Sequence, residues 1–315
     1  MSTESTTVAN HAYDQFIQLL IKHQPVSVAT EIAHLCPILP TMSLAEKLQR
    51  IDQLKGWLDS FRPLPVSIVA ELKKLYDVRF TYNSNAIEGN TLTQSETALI
   101  LESGITIGGK TLREHLEVIG HKDAIDYIEA LAQQEIAIGE WEIKQIHNLI
   151  MRAITPEEAG RYRQLDVKAA GTEYVYPPHY LLPDLMQQFV EWLNSESTKS
   201  LHPIEYAVEA HFRFVTIHPF RDGNGRTGRL LMNLLLLRSG YPIVVISNQI
   251  RQAYIEAIAE AQQQHAGINK LTDLVVDAAQ SSLVETLQVL ATAYESRGRG
   301  LPFYEEMLTF LQNNQ

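Results

Sequence analysis

The chain has 315 residues, 45 % of them hydrophobic and 20 % charged, a globular balance suited to one large domain with an appendage or to two modest domains. Its formal net charge of −11 excludes a surface that holds nucleic acid by general phosphate attraction. The single cysteine, Cys36 in AHLCPILP, excludes an internal disulfide framework, fits a reducing compartment, and reads as a small buried apolar residue rather than a nucleophile.

The opening MSTESTTVAN is polar, with neither a basic n-region nor an apolar core, so no secretory signal is expected there. Apolar residues then recur at i, i+3, i+4 and i+7 over 11–23, 43–60 and 65–83, which predicts helices. Prolines 63 and 65 mark a predicted boundary between an N-terminal helical extension (1–63) and a central domain (64–265), followed by a C-terminal helical extension (266–315). Thr93-Gln94-Ser95-Glu96 is a capping-box pattern whose helix runs through Ile100 and stops at Gly104. Helical spacing resumes over 111–133 and 140–153. It breaks at Val167–Tyr176 (VKAAGTEYVY), a predicted short β-hairpin or flap that ends at Pro177-Pro178. Further helices are predicted over 182–194, 203–216, 226–238, 250–264 and 270–294. The longest apolar run, Leu230–Leu237, is too short to cross a bilayer and is flanked by Arg229 and Arg238. The expected fold class is all-α with a small hairpin, in a soluble, cytoplasmic protein without membrane or nucleic-acid partners.

Two glycine motifs are decoys. Gly104–Thr111 (GITIGGKT) has the P-loop spacing, but such a loop joins a strand to a helix and here a helix precedes it. Gly223–Gly228 (GNGRTG) has the dinucleotide spacing, with FRFVTI and PIVVIS as candidate strands. Five residues nevertheless separate the first run from the first glycine, and the helical remainder denies it a parallel sheet.

The wider pattern, HPFRDGNGRTGR over His218–Arg229, is chemically coherent. A histidine before a tight loop can serve as general base near neutral pH. The glycines Gly223 and Gly225 let backbone amides turn into an anion nest at the start of a helix. Asp222 offers a hard oxygen for Mg²⁺, and Arg226 and Arg229, three apart, share a helix face from which to clamp a polyphosphate. Each element alone favours a bland reading, a helix end or a solvated face. Base, metal ligand, nest and two cations within twelve residues do not.

This loop resembles the signature HPFx[D/E]GNGRxxR of the Fic (filamentation-induced-by-cAMP) family, with every defining position present, and the resemblance extends over roughly residues 75–265. It implies a Fic-type helical bundle with a short flap, and a protein adenylyltransferase that uses ATP and Mg²⁺. His218 would deprotonate a Ser, Thr or Tyr hydroxyl of a target protein for attack on the α-phosphate. Asp222 would hold Mg²⁺, Phe220 would face the core, and Gly223, Asn224, Gly225, Arg226, Thr227, Gly228 and Arg229 would surround the phosphates. Ala169, Ala170, Gly171 and Thr172 of the flap, together with Tyr254 and Gln262, would border the nucleotide or the target segment. Gly160-Arg161-Tyr162-Arg163 falls in the family's flap region, and Arg251 begins its nucleotide-facing helix.

Upstream, Ser84-Asn85-Ala86-Ile87-Glu88-Gly89 resembles the family's inhibitory motif [S/T]xxxE[G/N]. Ser84 and Glu88 share a helix face, and Gly89 suits the helix end. The resemblance implies that Glu88 pairs with Arg229 at the γ-phosphate position. The alternatives are a de-AMPylase in which Glu88 orients water, and an interaction module without catalysis. Self-modification and a homodimer through the helices after Leu271 are compatible with the sequence. His115 and His121, six apart, lie on opposite helix sides and read as structural, as does His211.

Overall fold

The computed structural model describes residues 3–168, 174–264 and 268–313. Its α-helices are α1 (Thr3–His23), α2 (Val28–Leu35), α3 (Leu44–Ser60), α4 (Val66–Ile87), α5 (Gln94–Ser103), α6 (Leu112–Ala132), α7 (Glu140–Met151), α8 (Leu182–Leu193), α9 (Pro203–Ile217), α10 (Asn224–Arg238), α11 (Arg251–Gln264), α12 (Ile268–Thr292) and α13 (Leu301–Asn313). The all-α expectation holds, and no strand occurs among the described residues. Of the expected hairpin, residues 167–168 and 174–176 lack regular structure, and residues 169–173 lie outside the described residues.

Helix starts follow local chemistry. Ser43, Thr93 and Thr111 each form a full capping box with the glutamate three residues on, so α3, α5 and α6 begin where the sequence supplies both halves of the motif. Gly104 closes α5 in the left-handed region (φ 64°), which makes the P-loop-like segment the corner between α5 and α6. FRFVTI lies within α9, and PIVVIS has no regular structure.

The chain forms two compact units, Met1–Leu75 with Val276–Gln315, and Tyr76–Val275. In the first, α13 packs on α1 and α3 through Tyr13, Phe16, Trp57, Phe61, Phe303 and Tyr304, whose rings lie 5.2–6.0 Å apart, mostly tilted or edge-on. Each such pair adds about 0.5–1.5 kcal/mol beyond area burial. Cys36 is buried here, and burial pushes its thiol up to about 11, as suits an inert packing residue.

In the second unit, α10 is surrounded by α6, α7 and α9. Its LLMNLLLL run is apolar on every face, and so it forms the central helix. The glycines set how closely neighbours approach. A Cβ at Gly228 would meet His211 Nδ1 at 2.7 Å, and one at Gly120 would meet the Leu149 carbonyl oxygen at 2.8 Å. No helix among the described residues is long and apolar enough to cross a membrane.

Candidate active site

The loop between α9 and α10 is tied down from four directions. α9 ends at His218, in the left-handed region (φ 52°), which turns the chain sharply out of the helix. Asn224 staples the loop to itself: its Oδ1 accepts the Phe220 amide at 2.9 Å and its Nδ2 donates to the Phe220 carbonyl at 2.8 Å. Phe220 is fully buried and stacks on His147 of α7, centroids 3.6 Å apart and rings within 4° of parallel. His147 accepts the Gly160 amide on Nδ1 (2.9 Å), so Nε2 carries the proton and donates to the Asp222 carbonyl (3.0 Å). Arg163, buried, donates its amide to the Pro219 carbonyl and its Nε to the His218 carbonyl, each at 2.9 Å. The carbonyls of residues 218, 219, 220 and 222 therefore all have fixed partners.

Beyond the loop, Gly223 (φ 77°) starts α10 without any side-chain cap. The first amides of a central helix thus face a site with the positive end of its dipole. That site is a pocket of about 220 Å³. Its lining combines Glu88, Gly225, Arg229, His218 and Tyr176 with a largely apolar group that includes Val215, Tyr254, Ile255, Ile258 and Ala259. Tyr176 lies against the His218 ring, 4.2 Å between centroids.

The cations differ in their surroundings. Arg229 is only 1 % exposed, and its Nε donates to Ser84 Oγ (3.1 Å) while Nη2 donates to the Ser84 carbonyl and to Glu88 Oε1, both at 2.7 Å. Arg226 is 2 % exposed and points instead toward Asp222 Oδ1 (3.7 Å) and Glu117 Oε1 (3.6 Å). Arg226 Nε and Nη1 and Arg229 Nη1 are buried donors without hydrogen-bond partners. Such groups call for an anion.

The end of α4 explains why Glu88 arrives where it does. Asn90 N–H bonds to the Asn85 carbonyl and Gly89 N–H to the Ala86 carbonyl, a Schellman closure with Gly89 at φ 101°. Glu88 is the last residue before that turn. Arg251 Nε donates to the Ile87 carbonyl at 2.7 Å, so two arginines satisfy the final carbonyls of this helix. A Cβ on Gly225 would overlap the Glu88 carboxylate and sit 3.1 Å from Arg229 Nη1, so glutamate and loop touch without slack.

Burial lowers three histidines of the site, His218 and His147 to about 4 and His211 to about 3, and all are neutral near pH 7. Burial alone would raise the Asp222 carboxyl, but Arg226, the Gly223 amide and Arg113 hold it below the usual carboxylate range. The unfolded chain takes up protons on these histidines near pH 6.5, whereas the folded chain resists until about pH 4. Their contribution to stability is therefore complete above about pH 7 and is lost as the pH falls from there toward 4. Each histidine removes up to about 1.4 kcal/mol per pH unit in that window. Urea midpoints measured at pH 7.5, 6 and 5 are expected to fall steadily, and a flat response would contradict the neutral, buried assignment.

The expected site residues divide by place. His218, Glu88, Gly225, Arg229, Tyr254 and Gln262 line one pocket. Tyr254 is nearly fully buried and shares a 2.6 Å hydrogen bond with His211 Nε2. Ser84 bonds Arg229, Gly89 forms the helix end, and Gly223 opens α10. Asp222 stands half-exposed beside the loop. Thr227 and Gly228 do not line the pocket. Both are turned into the packing around α10, Gly228 directly against His211. Asn224 begins α10, with its side chain engaged by the Phe220 backbone. Ala169, Ala170, Gly171 and Thr172 lie outside the described residues. His115 accepts the Ile107 amide on Nε2 (2.9 Å), and its Nδ1 meets the Thr111 carbonyl (2.7 Å); His121 is buried against Phe80 and Thr81. Both are structural. The sequence reading gave no role to His147, Arg163, Arg113 or Glu117.

An uncapped central helix, a neutral histidine beside it and buried unpartnered arginine donors define a helical protein built around a candidate anion-binding loop. The Fic/DOC family profile matches residues 137–236. Protein adenylyltransferase Fic of Drosophila persimilis is 40 % identical over 217 residues, covering 69 % of this chain and 42 % of its own length. The chain thus spans less than half the length of that curated relative. Fic-1 from C. elegans superposes with a TM-score of 0.70 at 33 % identity, over 77 % of this chain and 71 % of that one. A Fic domain-containing signaling protein from Bacteroides thetaiotaomicron gives 0.69 at 30 % identity, over 79 % and 98 %. The chain belongs to the Fic/DOC family.

Proposed function

We propose that this chain is a protein adenylyltransferase that moves AMP from ATP to a Ser, Thr or Tyr hydroxyl of a target protein. The observation that carries the reading is the convergence of His218, the uncapped start of α10 and the Arg229 guanidinium on one pocket. The curated relatives named protein adenylyltransferase support it. The adenosine lies in the apolar part of the pocket against Tyr254, Ile258 and Gln262. Its phosphates follow the amides of residues 224–225 toward Arg229 and Arg226, whose unpartnered N–H groups donate to them.

His218 takes the proton of the target hydroxyl. The oxygen attacks the α-phosphorus, the bond from that phosphorus to the α–β bridging oxygen breaks, and pyrophosphate leaves. Fixed donors meet the charge that develops on the leaving group, so positioning and electrostatics carry the rate. Asp222 fits a Mg²⁺ site, because one carboxylate beside a phosphate-binding loop is what that ion usually takes from a protein. When bound, Mg²⁺ neutralises charge on the α- and β-phosphates. Glu88, held on Arg229, occupies the outer-phosphate end and acts as a brake. The lone buried thiol of Cys36 is consistent with a cytoplasmic setting.

The donor test compares α-³²P-ATP with γ-³²P-ATP in the unbraked Glu88→Gly variant with Mg²⁺. Label on protein, on the chain itself or on a target, is expected from the α-labelled nucleotide alone. Label from the γ position would replace AMP transfer by phosphoryl transfer.

A further inference from the structure

We infer that Arg113, on the first turn of α6 and outside the signature loop, is a positioning residue for the divalent cation of this reaction. It holds the Asp222 carboxylate as a resident cation and gives way when the metal enters. The inference rests on the nucleotide-transfer reading above.

Both oxygens of Asp222 are engaged. Oδ2 accepts from Arg113 Nη2 at 2.9 Å, while Oδ1 accepts the Gly223 amide at 2.6 Å and faces Arg226 Nη2 at 3.7 Å. Glu117, one turn along α6 from Arg113, accepts Arg113 Nε on its Oε1 at 3.2 Å, and the same oxygen lies 3.6 Å from Arg226 Nη1. Asp222, Arg113, Glu117 and Arg226 thus close a ring of alternating sign with no net charge. A second cation placed beside Asp222 meets repulsion from whichever ring cation stays, unless one moves.

The two cations are not equally free. Arg226 is sealed at 2 % exposure, whereas the Arg113 side chain is 54 % exposed at the solvent edge. Glu117 is held in place, because its Oε2 accepts Asn90 Nδ2 at 2.9 Å. Arg113 can therefore keep its Nε on Glu117 and swing its Nη2 end away from Asp222. Arg226 has no such route. The ring fixes the carboxylate in a ready position, and its exposed corner is the one that opens.

Removing the resident cation removes the competition. The test uses the full-length chain with saturating ADP and Mn²⁺ as the probe, free Mn²⁺ being read by its EPR signal, so no turnover is needed. Arg113→Gln is expected to bind Mn²⁺ about two- to fivefold more tightly than wild type, the scale of one exposed ion pair. Arg113→Lys, which keeps the charge, stays near wild type. Glu117→Gln shifts the opposite way, because Arg113 and Arg226 then both lean on Asp222. Mn²⁺ affinity in Arg113→Gln equal to or below that of wild type overturns the inference while leaving the nucleotide-transfer reading intact. If wild type binds neither ADP nor Mn²⁺, that reading falls first and takes this one with it.

Discussion

Glu88→Gly is expected to raise the initial rate of AMP transfer about ten- to a hundredfold, the worth of one charged hydrogen bond of roughly 1.5–3 kcal/mol. In wild type the Glu88 carboxylate holds Arg229 Nη2 at 2.7 Å and presses on the loop beside Gly225. A triphosphate entering that end must displace the carboxylate or bend its outer phosphates away from it. The substitution leaves the arginine in place, because Ser84 still binds it through both its hydroxyl and its carbonyl. The gain should therefore appear in transfer without disorder of the site, and the melting temperature serves as a check. Rates of α-³²P incorporation measured side by side decide the matter, and equal rates would remove Glu88 as a brake. If Glu88 instead orients water for AMP removal, the same variant loses release of AMP from a pre-modified protein.

In that unbraked background, His218→Ala should lower transfer by about 10²–10⁴, the usual share of a general base. The ring lines the pocket, and burial lowers it to about 4, so it is neutral and able to accept a proton at pH 7. On the proposed reading its contribution is to chemistry and not to nucleotide capture, the phosphate contacts being assigned to backbone amides and arginines. ADP affinity should hardly change while kcat collapses. Alanine strains at the left-handed position (φ 52°), so His218→Asn, which tolerates that region, separates loss of the base from loss of the loop. Transfer that survives in both variants would take His218 out of the reaction.

Motifs that act within one turn or loop were legible in the sequence. The Thr93–Glu96 capping box marked the start of α5, and the His218–Arg229 string carried the candidate base, nest and cations in a single stretch. Ser84 and Glu88 were legible because helical spacing puts them on one face, and both meet Arg229. One helix escaped, α2, which is only eight residues long, and α13 is anticipated only as part of a C-terminal helical extension without bounds of its own. The pairing of the first 75 residues with the last 40 leaves no local trace, since its aromatic cluster draws on residues almost 300 positions apart. The loop supports were hidden for the same reason. His147, Arg163 and Arg113 act on partners 75, 55 and 109 residues away, through backbone carbonyls or a single carboxylate. In sequence each is one more polar residue on or between helices. Thr227 and Gly228 add a further point: a contiguous motif does not say which members helix rotation turns into the packing, as it does these two.

Gly225 belongs to two devices at once. It lies in the first turn of α10 where the proposed phosphate site begins, and it leaves the space that the Glu88 carboxylate occupies against Arg229. A side chain at that position would expel the glutamate and obstruct the nucleotide together. Release and capacity are therefore coupled on the α10 side and separable only on the α4 side. On the proposed reading, a signal that frees the loop without damaging it has to act at the end of α4, by drawing Glu88 off the loop or by loosening the Arg251 contact that secures that end. The proposed brake would then be tuned from the end of α4 and not from the loop.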